Sequence, residues 1–172
     1  MRKELIIGTI LSLTVSTAYA DKTRNINDVE IDHDEFTGKT SCRIEARISS
    51  EDAFGAGFTF IRTHEEGKGY NDPNSIFWSV DGDASRFNGD AHFLVDGERY
   101  QFPLLDSNTN VRSGTYIDRA VYEIDSEMYV RLASASEVRV RLNGRRSVVA
   151  EFGPEALGAA AAFKSECLDD FM

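Results

Sequence analysis

Two cysteines, Cys42 and Cys167, stand near opposite ends of a 172-residue chain, and each falls on a face that its neighbours mark as inward. From Thr40 to Ile48 the residues alternate: Cys42, Ile44, Ala46 and Ile48 share one side, Arg43, Glu45 and Arg47 the other. A period of two is the pattern of a strand with one buried face. Near the other end, Ala156, Ala160, Phe163 and Cys167 recur at spacings of four, three and four, which marks one stripe of a helix. Both sulfurs therefore point toward the same core, and a bond between them would close most of the chain into one loop. In the chain-entropy picture, closing so long a loop stabilises a fold by about 4–5 kcal/mol. The rival use of the cysteines is a catalytic thiol, which needs a histidine partner and a protected setting; neither sits in a recognisable nucleophile motif.

A disulfide needs an oxidising compartment, and the first twenty residues point to one. Arg2 and Lys3 supply a positive end, Leu5 to Val15 form an apolar run, and Ala18-Tyr19-Ala20 has the small-x-small pattern of a signal-peptidase site. The run is shorter than the roughly 20 residues needed to span a bilayer. Residues 1–20 are therefore expected to be a cleaved signal peptide, and residues 21–172 one periplasmic or secreted domain. Asp21, rather than a cysteine, follows the cut, so no lipid anchor is expected, and no second long apolar run offers a membrane span. The chain carries 29 acidic against 19 Lys and Arg residues, a net charge of -10, and loss of Arg2, Lys3 and Glu4 makes the mature domain slightly more acidic. That balance argues against nucleic acid as a partner and favours a basic protein. With 41% hydrophobic residues, the chain can bury a core.

Along the mature chain the periodicity is mostly that of strands. Val29 and Ile31 mark a first short strand, Gly57 to Thr63 and Ile76 to Val80 two more, and Tyr116 to Ile124 another. Between them His64 to Ser75 and Pro103 to Ser113 read as polar, irregular segments. Ala91–Val95 and Glu98–Phe102 flank Asp96-Gly97, the signature of a type I′ hairpin. Glu137–Leu142 and Ser147–Phe152 flank Asn143-Gly144 in the same way. A short helix capped by Asp125 or Ser126 runs to about Ala135, and a last helix opens at Gly153-Pro154. Strands joined by hairpins, with helices gathered late, predict an α+β fold. The expected architecture is an antiparallel sheet of about six to eight strands, sandwich-like or curled into a partial barrel, with the last helix packed on it.

Ser126-Glu127 with Leu132-Ala133, the run Glu137-Val138-Arg139-Val140-Arg141-Leu142, and Phe152, Leu157, Phe163 and Cys167 together resemble the tail of small exported bacterial proteins of unknown function. The matching stretch covers roughly a quarter of the chain. It implies a fold and a compartment, including a late cysteine paired with an early one, and carries no functional residue.

Chemistry is less legible. Asp81-Gly82-Asp83 opens like a calcium loop, but Arg86 and His92 stand where an EF-hand needs glycine and a bidentate glutamate. A looser site of Asp81, Asp83 and Asp90 competes with a solvated loop built for turn geometry. His33, His64 and His92 lie in no zinc-ligand spacing, and GxSxG, SxxK and P-loop motifs are absent, so no cofactor is expected. Gly55-Ala56-Gly57 reads as a bulge or turn before Phe58. Arg139, Arg141 and Arg146 form the one basic concentration, either an anion-binding or partner-docking strip or a solvent face balancing nearby acids. Trp78, if exposed beside a loop, would add a recognition patch. The sequence thus points to an exported, non-enzymatic domain acting by binding or in the envelope. An inhibitor or immunity protein against a basic, wall-active enzyme is one alternative, and a carboxylate-based hydrolase another.

Overall fold

The computed structural model describes residues 28–70 and 74–169, so the expected signal peptide and the leader after it lie outside the described residues. The chain forms β1 (Glu30–Asp34), β2 (Lys39–Ser50), β3 (Gly55–Glu65), β4 (Gly69–Tyr70), β5 (Asn74–Asp81) and β6 (Phe87–Val95). There follow β7 (Glu98–Phe102), β8 (Leu104–Arg112), β9 (Thr115–Glu123), α1 (Ser126–Ser134), β10 (Val138–Gly144), β11 (Val148–Glu151) and α2 (Pro154–Phe163). Lys164–Asp169 then continue α2 as one wider, π-helical turn. The fold is α+β, as the hairpin pattern predicts.

One antiparallel sheet carries all eleven strands, in the order β7-β6-β10-β11-β2-β3-β5-β9-β8, with β1 added to β2 and β4 to β3. The waist is narrow: β11 and β2 pair only through Ala150 with Ser50 and Glu151 with Ser49. Side chains reinforce it, Ser50 Oγ donating to the Val149 carbonyl at 2.7 Å and Asp52 accepting from the Val149 N–H at 2.9 Å. At this waist the sheet bends over until β6 lies against β8 and β9. Eleven strands among the described residues exceed the six to eight expected, and two of them, β4 and β8, lie in segments whose sequence reads as irregular. Eight of the nine residues of β8 are exposed, so no apolar alternation betrays it; the ladder to β9 alone defines it.

The folded-over faces enclose an aromatic core. Phe58 lies 4.1 Å from Phe77, 4.2 Å from Phe60, 5.2 Å from Phe152 and 6.4 Å from Phe93, so rings from both sides of the waist meet edge to face. The helices close the open end: Phe163 of α2 stacks 5.0 Å from Tyr129 of α1 and 5.5 Å from Phe60. The Tyr129 hydroxyl, buried, pairs with Ser75 Oγ; burial holds this phenol well above its ordinary titration range. Asp125 caps α1, accepting from the Met128 N–H at 2.7 Å, as the sequence predicts.

Cys42 and Cys167 are bonded, their Cα atoms 5.7 Å apart and 125 positions apart in sequence. Beside them Arg62 Nη1 donates to the carbonyls of Cys167 and Leu168 at 3.0 and 3.1 Å, satisfying acceptors that a helix end otherwise leaves open. No helix among the described residues is long and apolar enough to cross a membrane.

Two glycine readings change. Gly57 is neither bulge nor turn but lies inside β3, where the Trp78 indole covers it so closely that a Cβ would collide with the ring. Asn143-Gly144 is not the turn of the second hairpin: β10 runs through Gly144, and a Cβ there would stand 2.5 Å from the Ser85 carbonyl. The residue is small because another backbone approaches. Asp96-Gly97 does form the expected type I′ turn, with φ of 47° and 89°.

Candidate functional site

On β10 the inward residues are Val138, Val140 and Leu142, so Arg139 and Arg141 face outward together. The register carries that face across three neighbours. Arg141 lies opposite His92 on β6 and Val149 on β11; Arg139 lies opposite Leu94 and Glu151; His92 and Leu94 lie opposite Gln101 and Arg99 on β7. With strands about 4.8 Å apart, these residues make a two-row lattice whose hollow is a groove of about 450 Å³, its lining including His92, Leu94, Arg99, Arg139, Arg141 and Val149. The floor is apolar at Leu94 and Val149, and the rims are guanidinium.

Arg139 is tied to Glu151 at 3.1 Å. Among the described residues neither Arg99 nor Arg141 has a carboxylate partner, whereas Arg43, Arg131 and Arg146 each do. Two uncompensated guanidiniums beside an imidazole, in a chain of net charge -10, make a local inversion of the molecule's sign. Arginine presents planar, paired donors that fit carboxylate and phosphate oxygens, so the arrangement is suited to an anionic group with an apolar neighbour.

Of the three arginines singled out by sequence, Arg139 and Arg141 thus come together and Arg146 leaves. Arg146 sits past β10, where its guanidinium pairs with Asp81 and with the Asp52 carbonyl. Its backbone N–H donates to the Ser85 carbonyl at 3.2 Å. His92 and Arg99 carry no local signal as binding residues, since Leu94 breaks the apolar alternation of Ala91–Val95; the ladders to β7 and β10 place them on the outer face.

The aspartate candidate is a correction: Asp81, Asp83 and Asp90 do not converge. Asp81, buried, is neutralised by Arg146; Asp83 turns back to the Ala84 N–H at 2.8 Å; Asp90 accepts from Gln101 at 2.6 Å. No group of three metal-ligating side chains is assembled among the described residues. The loop's order comes instead from Asp118 on β9, a buried carboxylate that sequence reading missed. It accepts from the Ser85 N–H at 2.7 Å, the Arg86 N–H at 3.3 Å and the Thr109 hydroxyl. These bonds hold Arg86 at a left-handed φ of 49° and pin the segment before β6 to the far edge of the sheet.

Trp78 is half-buried in mid-strand rather than beside a loop, in a cross-strand row running Arg47, Gly57, Trp78, Arg119. Its ring fills the space over Gly57.

At the tip of the β1–β2 hairpin stands the other prominent surface feature. Phe36 is fully exposed and is flanked by Asp32, Asp34 and Glu35. The turn is stiffened by Asp34, which accepts from the Phe36 N–H at 2.9 Å and from the Thr37 hydroxyl at 2.8 Å. The Thr37 hydroxyl first, and the Phe36 N–H second, hold the Asp34 carboxyl below its ordinary value.

In comparisons with protein-family models, curated proteins and solved structures, the chain matched none of them.

Proposed function

We propose that the protein is an exported, disulfide-closed binding domain that holds an acidic partner against the outer face of β6, β7, β10 and β11. The observation that carries this reading is the groove itself: Arg99 and Arg141, without carboxylate partners among the described residues, over a floor of Leu94 and Val149. Export is supported by the signal-like residues 1–20 and by a disulfide that most cytosolic proteins lack. The contact is with discrete acidic groups rather than with a dense polyanion, because the molecule as a whole is acidic and repels one.

Amide and arginine side-chain NMR shifts test it. A short peptide pairing glutamates with a leucine is expected to move His92, Leu94, Arg99, Arg139 and Arg141, and its lysine counterpart to leave them in place. Equal response to both peptides, or perturbation confined to other strands, would end the reading.

A second reading has its own observation. A projecting tip bearing Phe36 and three carboxylates is the shape expected of an inhibitor that enters the cleft of a basic enzyme. Its test is pull-down of cationic muramidases with the wild-type chain and with Phe36→Ala; capture by both alike, or by neither, removes the tip from consideration.

A further inference from the structure

The groove and the tip are complementary, and one chain carries both. The groove offers guanidiniums and an imidazole around an apolar floor; the tip offers Asp32, Glu35 and a bare phenyl ring. Paired guanidinium donors beside apolar Leu94 and Val149 suit an acidic peptide segment that carries an apolar side chain. β2 separates the two features. Its 12 residues span about 40 Å, with the tip before Lys39 and the waist to β11 at Ser49 and Ser50. Both ends are fixed in the same sheet, so the tip cannot reach its own groove.

We infer that the groove's occupant is the β1–β2 tip of a second copy of this chain, with Phe36 over Leu94 and Val149 and the tip carboxylates against Arg99 and Arg141. The inference rests on the reading of the groove as a site for acidic partners. Such a contact is heterologous: each molecule uses its tip once and its groove once, so copies join head to tail into rings or open chains. A hairpin tip buries little surface, so the association is weak and appears only as concentration rises.

Sedimentation velocity on the mature chain, at about 0.1 M salt where the Debye length is about 10 Å, reads it directly. The sedimentation coefficient is expected to climb with concentration. Arg99→Glu with Arg141→Glu, and separately Asp32→Lys with Glu35→Lys, are each expected to weaken association by about tenfold or more. Mixing the two double variants restores both pairings, the lysine tip with the glutamate groove and the unaltered acidic tip with the unaltered arginine groove, and is expected to return head-to-tail association in which the two variants alternate. That rescue also shows that both variants are folded. A coefficient independent of concentration overturns the inference, as does association indifferent to both variants or a mixture that stays monomeric. If the wild-type chain is monomeric but the glutamate–leucine peptide still moves Arg99 and Arg141, only the self-partner falls. If the peptide also fails, the groove reading falls with it.

Discussion

Asp118 is 1% exposed, yet its carboxylate joins two segments that share no strand pairing, by accepting from the Ser85 and Arg86 N–H groups. Buried backbone donors left without an acceptor cost about 1–3 kcal/mol each. Asp118→Ala is therefore expected to lower unfolding free energy by about 2–4 kcal/mol in urea melts, with the loss concentrated in protection of the Asp81–Arg86 amides. Gly57 makes a similar point through packing. A methyl group there forces the Trp78 indole off the strand, and Gly57→Ala is expected to cost about 1–3 kcal/mol in the same melts and to shift Trp78 fluorescence. At the tip, Asp34 titrates below its ordinary value of 3.8 because the charged form receives the Thr37 hydroxyl and the Phe36 N–H. The sign follows from linkage: a carboxyl lowered in the folded state stabilises the turn fully above 3.8, and that contribution fades as pH falls through the folded value. Thr37→Val is expected to move the Asp34 carbon-detected titration upward toward 3.8 and to weaken the turn at neutral pH, where the hydroxyl's contribution is fully present.

Among elements, the end of the last helix is tied to the sheet twice, to β2 by the Cys42–Cys167 bond and to β3 by Arg62 on its last carbonyls. Reduction is expected to cost about 2–5 kcal/mol, seen as a lower urea midpoint with dithiothreitol, and the Cys42→Ser, Cys167→Ser double variant should match the reduced wild type. These elements were readable in the sequence because each buries one face and keeps a regular period: Cys42 to Ile48 for β2, Ala156 to Cys167 for α2, Val138 to Leu142 for β10. β8 was not, since Asp106 to Asn110 face solvent throughout and only hydrogen bonds to β9 make them a strand. The same division runs through the groove. Arg139 and Arg141 show their common face locally, two residues apart, whereas His92 and Arg99 join them through the β6–β10 register, a pairing across some fifty residues that no local pattern encodes. Gly144 and Asn143 mimic a turn signal for the same reason: the approach of Ser85 that demands glycine comes from a remote segment.

For the whole molecule, sign and scale compete. Two chains of charge -10 about 40 Å apart would repel by about 10 kcal/mol in pure water by Coulomb's law. Salt reduces this to about 3 kcal/mol at 0.01 M, where the Debye length is about 30 Å, and to a few tenths at 0.1 M, where it is about 10 Å. The attraction between a tip carboxylate and Arg99 or Arg141 acts over about 4 Å, so the same first addition of salt hardly weakens it. Only near 1 M, with a Debye length of about 3 Å, does screening reach contact distance. Head-to-tail association is therefore expected to pass through a maximum with ionic strength: weak at 0.01 M, strongest around 0.1 M, and weak again toward 1 M. An ordinary attraction between oppositely charged proteins falls from the start, and a purely apolar contact through Phe36 rises throughout. Light scattering at fixed protein concentration across that salt series separates the three. A monotonic fall would mean that the net acidity does not govern the encounter; a monotonic rise would mean that the arginines of the groove take no part in it.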